Sequence, residues 1–80
     1  MAMNNREFTV NDVLVEIGNN KKYFWIVRKV TVDGYIFDVL FDGKFHVTGN
    51  WMSFGVAHGG LIKVDEWDDV NKKMKNVEDI

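Results

Sequence analysis

The stretch from Tyr23 to Phe41, YFWIVRKVTVDGYIFDVLF, consists of two runs of β-branched and aromatic residues joined by Asp33-Gly34. An aspartate–glycine pair between two such runs is the strongest short-range sequence signal for a β-hairpin. If Asp33-Gly34 is a two-residue turn, residues equidistant from it lie opposite each other. The stretch therefore predicts a hairpin and assigns each of its side chains to one of two faces.

One face of the predicted hairpin is almost entirely apolar, and we assign it to the core. It consists of Phe24, Ile26, Arg28, Val30, Val32, Tyr35, Phe37, Val39 and Phe41. On the other face Lys29 lies opposite Asp38, and this pair of opposite charges supports the register. That second face is polar near the turn and apolar at its far end, where Trp25 and Leu40 lie.

The apolar end of the second face is a candidate binding surface. A second two-residue turn at Asp42-Gly43 places Phe45 beside Leu40, on the same side as Tyr23 and Trp25. Two interpretations remain open. Either a bend of the sheet or a neighbouring element covers these side chains, or they form part of an aromatic-rich surface that binds a partner.

Short strand-forming segments separated by Gly, Asn and Asp flank the hairpin. They lie at residues 13–17, 44–48, 51–54 and 61–64, and residues 55–60 form a glycine-containing loop. Five or six short strands joined by such turns predict a mainly β fold, either a small antiparallel barrel or a strongly bent sheet. This architecture resembles a small SH3-like barrel, and a resemblance of fold alone implies no function.

The hydrophobic period changes in residues 65–80. Trp67, Val70, Met74 and Val77 are spaced by three, four and three residues, which places them on one face of a helix. Acidic residues come first and lysines follow, the order that a helix dipole favours. The pattern predicts an amphipathic C-terminal helix after a β body at residues 1–64, within a single domain. Its apolar face either packs on the sheet or docks on a partner or a second copy.

The composition limits the class of protein. The 80 residues are 46% hydrophobic and 14% aromatic, which suits a small core built on large side chains, and no cysteine is present. No run approaches the about 20 apolar residues of a membrane span. The start, MAMNNREF, lacks the plan of a signal peptide. We therefore expect a cytoplasmic protein without a membrane partner, for which a monomer and a self-associated form are equal alternatives.

No motif for catalysis or metal binding stands out. His46 and His58 are the only histidines, and their spacing matches no metal signature. Ser53 is the only serine, and no Gly-x-Ser-x-Gly motif surrounds it. The glycine-containing segment at residues 55–60 lacks the Lys-Ser/Thr pair of a phosphate-binding loop. We expect no enzymatic activity, no cofactor and no metal.

The acidity of the chain lies in its C-terminal part. Residues 1–63 carry seven Lys/Arg and six Asp/Glu, whereas residues 64–80 carry three lysines and six acids, and the net charge is −2. A dedicated nucleic-acid binder is expected to be basic. Near Tyr23 and Trp25, however, basic residues accompany aromatic ones, as in small barrels that stack single-stranded bases.

These observations favour a non-catalytic interaction module that binds a protein partner. Many small phage and mobile-element proteins of this kind regulate or inhibit a larger enzyme, and we expect such a role. The alternative is a small barrel that binds single-stranded nucleic acid by aromatic stacking. The candidate partner-binding residues are Tyr23, Trp25, Phe45, Trp51 and Phe54, and the candidate docking face of the helix is Trp67, Val70, Met74 and Val77.

Overall fold

The computed structural model describes residues 7–18 and 23–76. Within these residues the chain forms six β-strands and one short α-helix. In chain order they are β1 (Asp12–Glu16), β2 (Tyr23–Val30), β3 (Gly34–Phe41), β4 (Lys44–Ser53), α1 (Phe54–Gly60), β5 (Leu61–Asp68) and β6 (Lys73–Met74). The prediction of a mainly β fold is confirmed.

The strands form one curled antiparallel sheet with the order β4-β3-β2-β1-β5-β6. Because the sheet curls, strands that are distant in this order come into contact. The ring of Phe45 in β4 lies 5.8 Å from the ring of Trp67 in β5. The predicted strongly bent sheet of five or six strands is thus confirmed, and β4 and β6 are its two edges.

The predicted β2–β3 hairpin is present, but its turn lies one residue earlier than expected. The backbone N–H of Thr31 donates to the carbonyl oxygen of Gly34 at 2.8 Å. The backbone N–H of Gly34 in turn donates to the Thr31 hydroxyl at 3.0 Å. Val32 and Asp33 therefore form the tip of the turn, because the threonine hydroxyl supplies a local partner that competes with the expected Asp-Gly turn.

Position 34 requires glycine because no larger side chain fits there, and not because of its backbone conformation. The Trp51 indole lies across it, and a Cβ atom at this position would stand 2.8 Å from the indole nitrogen. The same Cβ would collide with the carbonyl oxygen of Met52. The glycine of the predicted turn thus serves the contact between β3 and β4.

A β-bulge at Arg28 changes which side chains share a face. On the N-terminal side of the bulge, Val27 pairs with Phe37 and Trp25 pairs with Val39. One extra residue in a strand sends every later side chain to the opposite face. The predicted face assignment is therefore wrong for the part of β2 that precedes Arg28.

The predicted cross-strand pair of Lys29 and Asp38 is also wrong. Lys29 lies opposite Ile36. The Asp38 carboxylate instead lies 3.3 Å from the Nε atom of Arg28 and accepts a hydrogen bond from the backbone N–H of Gly49 at 3.0 Å. Gly49 has a positive φ of 72°, which bends β4 in its middle.

Each face of the sheet carries a buried apolar cluster. We call the face on which α1 packs the covered face, and its buried residues are Phe8, Leu14, Val27, Tyr35, Phe37, Ala57 and Leu61. We call the opposite face the open face, and its buried residues are Val13, Ile26, Leu40 and Trp67. Val13 and Leu14 are neighbours in β1, so this central strand is buried on both sides.

A short helix replaces the loop that was predicted at residues 55–60. The Ser53 hydroxyl caps its N-terminus by accepting a hydrogen bond from the backbone N–H of Val56 at 3.3 Å. The ring of Phe54 meets the ring of Tyr35 edge-on at 5.0 Å. The helix therefore closes the covered face at the level of β3.

The predicted C-terminal helix is wrong over the described part of residues 65–80. The first of these residues belong to β5, and Trp67 lies opposite Met74 across a hairpin to β6. Two residues seven positions apart share a face of a helix, and in this hairpin the same separation makes them cross-strand neighbours. The spacing therefore fits both structures.

The β5–β6 turn is built by the acidic residues that had suggested a helix N-terminus. A carboxylate oxygen of Asp68 accepts hydrogen bonds from the backbone N–H groups of Val70 at 3.0 Å and Asn71 at 3.1 Å. Lys72 has a positive φ of 60° and completes the turn. Val70 is exposed in this turn, and Val77 lies outside the described residues.

Candidate functional site

A groove runs along the open face between the β3–β4 turn and the β5–β6 hairpin. It consists of two adjoining hollows of about 670 and 730 Å³ that share Leu40, Gly43 and Met74. The other lining residues are Phe24, Phe41 and Asp42 in one hollow, and Phe45, Trp67, Lys72, Lys73 and Lys75 in the other. Hollows of this size are typical of ligand-binding clefts.

The floor of the groove is apolar. Trp67 is 5% exposed and packs edge-on against Phe45, which is 47% exposed. Leu40, the partner of Phe45 across the β3–β4 ladder, lies beside it at 8% exposure. A half-exposed aromatic ring on a buried one is an arrangement that can anchor a partner.

A buried carboxylate fastens the wall of the groove that β6 forms. Asp65 is 3% exposed, and one of its oxygens accepts hydrogen bonds from the backbone N–H of Glu66 at 2.7 Å and from that of Asn76 at 3.0 Å. The Asn76 side-chain amide also donates to Asp65 at 3.0 Å. Because Asn76 follows β6, these bonds hold β6 against β5. Hydrogen bonds of this kind are what make a buried carboxylate tolerable.

An ion pair ties the β5–β6 turn to β2. The Arg28 guanidinium lies 3.3 Å from a carboxylate oxygen of Asp69 and 3.3 Å from that of Asp38. The hydrogen bond from Arg28 lowers the pKa of Asp69. The bulge that places Arg28 on this face thus also positions the turn.

The rim of the groove on the β5–β6 side is basic. Lys72 and Lys75 each approach one carboxylate, at 3.4 and 3.7 Å. Among the described residues no carboxylate pairs with Lys73. The one acidic residue that lines the two hollows, Asp42, lies at the opposite end, in the β3–β4 turn.

The predicted patch of Tyr23, Trp25 and Phe45 is divided between the two faces of the sheet. Trp25 packs edge-on against Phe37 on the covered face, with ring centroids 5.6 Å apart. Phe45 lies on the open face, opposite Leu40. The prediction that the three aromatics share one surface is wrong, because the bulge in β2 reverses the direction of Trp25.

Tyr23 and Trp25 border a smaller hollow of about 250 Å³, next to His46 and Val47. Tyr23 stacks on Phe41 at 4.5 Å and is 36% exposed. The indole nitrogen of Trp25 is buried and has no hydrogen-bond partner among the described residues. This hollow is separate from the groove.

The two remaining predicted aromatics have different environments. Trp51 is 51% exposed and lies opposite Ile36, away from the groove. Phe54 stacks on His58 at 5.7 Å and packs on the buried cluster of the covered face. Phe54 is therefore part of the packing of α1, whereas Trp51 is a surface residue.

A polar cluster secures the N-terminal segment on the covered face. The Tyr35 hydroxyl accepts a hydrogen bond from the backbone N–H of Phe8 at 3.1 Å and lies 2.6 Å from the Nε2 atom of His58. Burial raises the pKa of Tyr35. Glu7 approaches the other ring nitrogen of His58 at 4.0 Å. Within residues 7–18 and 23–76 no three His, Asp or Glu side chains are arranged to hold a metal ion.

The groove lysines are site residues that the sequence analysis does not identify. A helix over this segment would place Lys72, Lys73 and Lys75 near its C-terminal end, away from any strand. A signal for the actual turn is present, since Asp68 and Asn71 are residues that favour turns through side-chain hydrogen bonds. The apolar spacing of the same segment favours a helix more strongly than these two residues favour a turn.

Comparison of the chain with models of known protein families, with curated proteins and with solved structures found no match. In the described part of the chain, no helix has the length and apolar character needed to cross a membrane.

Proposed function

We propose that this chain is a non-catalytic binding module for a protein partner and that the groove on the open face is its binding surface. The observation that carries the proposal is the half-exposed Phe45 on the buried Trp67, in the hollow of the apolar groove that has the basic rim. Interfaces are typically anchored by such aromatic side chains inside a polar border.

The other candidate surfaces support binding less well. Trp25 and Phe54 pack on the covered face and contribute to the core. Trp51 is exposed, but its indole packs against Gly34 and lines none of the hollows described above. The groove combines a cavity, an exposed aromatic ring and unneutralised charge, and these are the features by which a site binds selectively.

A chain of this size can act by occupying a surface of a larger protein. We therefore propose a regulator or inhibitor of a larger enzyme, of the phage or mobile-element type. We place its action in the cytoplasm, because a chain without cysteine needs no oxidising compartment for its fold.

Binding of single-stranded nucleic acid is the second candidate, and the three groove lysines beside Phe45 favour it. Stacking requires exposed ring faces, however, and Trp67 is only 5% exposed. Phe24 and Phe41 line the groove but are partly buried, so Phe45 is the most exposed ring that the groove offers to a base. The protein partner is therefore the better-supported proposal.

Affinity capture from host cells with matched variants tests the proposal. Phe45→Glu places a charge in the groove. Val47→Glu places the same charge two residues along β4 at a similar exposure of 39%, but on the opposite face, because the β3–β4 pairing shifts register between Phe45 and Val47. We expect proteins that wild type retains to be lost with Phe45→Glu and kept with Val47→Glu, both variants having the circular dichroism of wild type.

Two results would contradict the proposal. One is that a folded Phe45→Glu protein retains the same partners as wild type. The other is that labelled oligonucleotides bind tightly, with an affinity that falls steeply with salt and with Phe45→Glu, because counterion release would then mark a nucleic-acid site.

A further inference from the structure

We infer that the groove takes an extended peptide segment in which acidic and apolar side chains occur together, and that this segment adds as a strand to the free edge of β4. The inference rests on the proposed function and specifies the ligand of the same groove. Three features of the groove carry it: the charge of its rim, the free strand edge along one wall, and the apolar floor between them.

The charge of the rim selects an acidic ligand. Lys72, Lys73 and Lys75 line one hollow, and no acidic residue lines it. Lys73 has no carboxylate partner among the described residues, so its charge is available to a ligand. Opposite charge across an interface steers association and penalises partners of the wrong sign.

The wall formed by β4 is an edge strand. β4 pairs with β3 on one side and has no strand on its other side within the described sheet. The half of β4 before Gly49 lies along the groove, since Phe45 lines it. Beyond this point Gly49 bends the strand, and its N–H is taken by Asp38. The free edge that a ligand meets is therefore the short stretch from Lys44 to Val47.

An open edge strand beside an apolar cleft is suited to strand addition. In this binding mode backbone hydrogen bonds provide affinity, and alternate side chains of the ligand enter pockets. Alternate side chains of an added strand would point to the floor at Leu40 and Phe45. The opposite edge, β6, consists of only two residues, so it offers a ligand side chains more than backbone. Lys73 in β6 and its neighbours Lys72 and Lys75 would meet the acidic side chains.

A selection from a displayed library of random ten-residue peptides tests the inference. Peptides are selected on wild type, and those that also bind the Phe45→Glu variant are removed. We expect the enriched peptides to share at least one acidic residue close to aliphatic or aromatic residues. One enriched peptide, labelled with a fluorophore, then serves as the probe in anisotropy titrations.

The charge and the strand are tested separately with this probe. Lys73→Gln should weaken binding about two- to fivefold at low salt, the effect of one exposed ion pair, while Lys29→Gln on β2 should leave it unchanged. Saturation with the peptide should slow hydrogen exchange of the backbone amides of residues 44–47. Amide exchange at residues 50–53, beyond the bend, is the internal reference.

The outcomes distinguish the inference from the proposed function. If enriched peptides are neutral or basic yet still require Phe45, the groove is a binding site, and the inference that its ligand is acidic is wrong. If the probe binds without slowing exchange at residues 44–47, strand addition is wrong. If wild type enriches nothing beyond Phe45→Glu, the groove is not a peptide-binding site and the inference fails, whereas the proposed function is decided by the capture experiment.

Discussion

The two faces of one sheet differ in what covers them. On the covered face, α1 and the segment around Phe8 close over Tyr35 and Phe37, both of which are completely buried. On the open face only the β5–β6 hairpin reaches across among the described residues, and Phe45 remains half exposed beside the buried Trp67. The same curled strands thus support a closed core on one side and a groove on the other.

If the open face binds a partner as proposed, the covered face contributes mainly to stability and the open face mainly to binding. Burial of large apolar side chains is the main source of folding free energy in a chain this small. The covered face buries Tyr35 and Phe37 completely, so it should dominate stability. The open face leaves part of its apolar surface in water, at a cost that a partner would relieve.

The largest expected effect separates the two faces directly. Phe37→Ala should lower the free energy of unfolding by about 3–5 kcal/mol, because it removes a buried ring and leaves a cavity. Phe45→Ala should lower it by less than about 1.5 kcal/mol, because half of that ring is already in contact with water. Urea unfolding followed by tryptophan fluorescence measures both. Equal losses for the two variants would break the distinction between the faces.

The next effect concerns the buried carboxylate that holds the open face together. Asp65→Ala should lower the free energy of unfolding by about 1–3 kcal/mol, because the N–H groups that Asp65 satisfies lose their partner. Asp33→Ala is the control, since Asp33 is exposed and its carboxylate bonds only the Thr31 hydroxyl among the described residues. A loss for Asp65→Ala no larger than for Asp33→Ala would show that β6 is held by other contacts.

The two hairpins show how much of this fold can be predicted from the sequence. The β2–β3 hairpin is long, rich in β-branched residues and marked by Asp33-Gly34, and its existence and approximate position follow from those features. The register of its strand pairing does not follow from the sequence, because the Thr31 hydroxyl moves the turn and the bulge at Arg28 shifts the pairing. Neither event has a sequence signal as strong as the turn itself.

The β5–β6 hairpin is missed because its spacing is ambiguous. Trp67 and Met74 are seven residues apart, which fits a helix face as well as a cross-strand pair. The turn contains no glycine, and Lys72 takes the positive φ instead. The groove depends on this hairpin, so the candidate site could not be assembled from the sequence even though Phe45 was among the predicted residues.

A smaller effect should come from the hydroxyl of Tyr35. Tyr35→Phe leaves the buried N–H of Phe8 without its acceptor, so the free energy of unfolding should fall by about 1 kcal/mol. Tyr23→Phe is the matched control, because Tyr23 is partly exposed and its hydroxyl makes no hydrogen bond within the described residues. Thermal unfolding of both variants measures the difference. If they are equal, the polar cluster of the covered face adds no stability.

The smallest effect is a pH dependence centred on the β5–β6 hairpin. The hydrogen bond from Lys63 lowers the pKa of Glu66, and that from Arg28 lowers the pKa of Asp69. A carboxyl group with a lower pKa in the folded than in the unfolded chain stabilises the fold above its unfolded value, about 4.3 for Glu and 3.9 for Asp. That contribution is lost as the pH falls through the folded value. Acid should therefore loosen the β5–β6 hairpin first.

Backbone amide resonances followed from pH 6 to pH 3 resolve this loosening residue by residue. Signals of residues 69–74 should shift or broaden below about pH 4, while those of Tyr35 and Phe37, which are completely buried, stay unchanged. Asp69→Asn should remove part of the response, because its amide keeps the contact with Arg28 without titrating. If the covered face changes at the same pH as the hairpin, the two faces unfold as one unit, and the open face is not the weaker of the two.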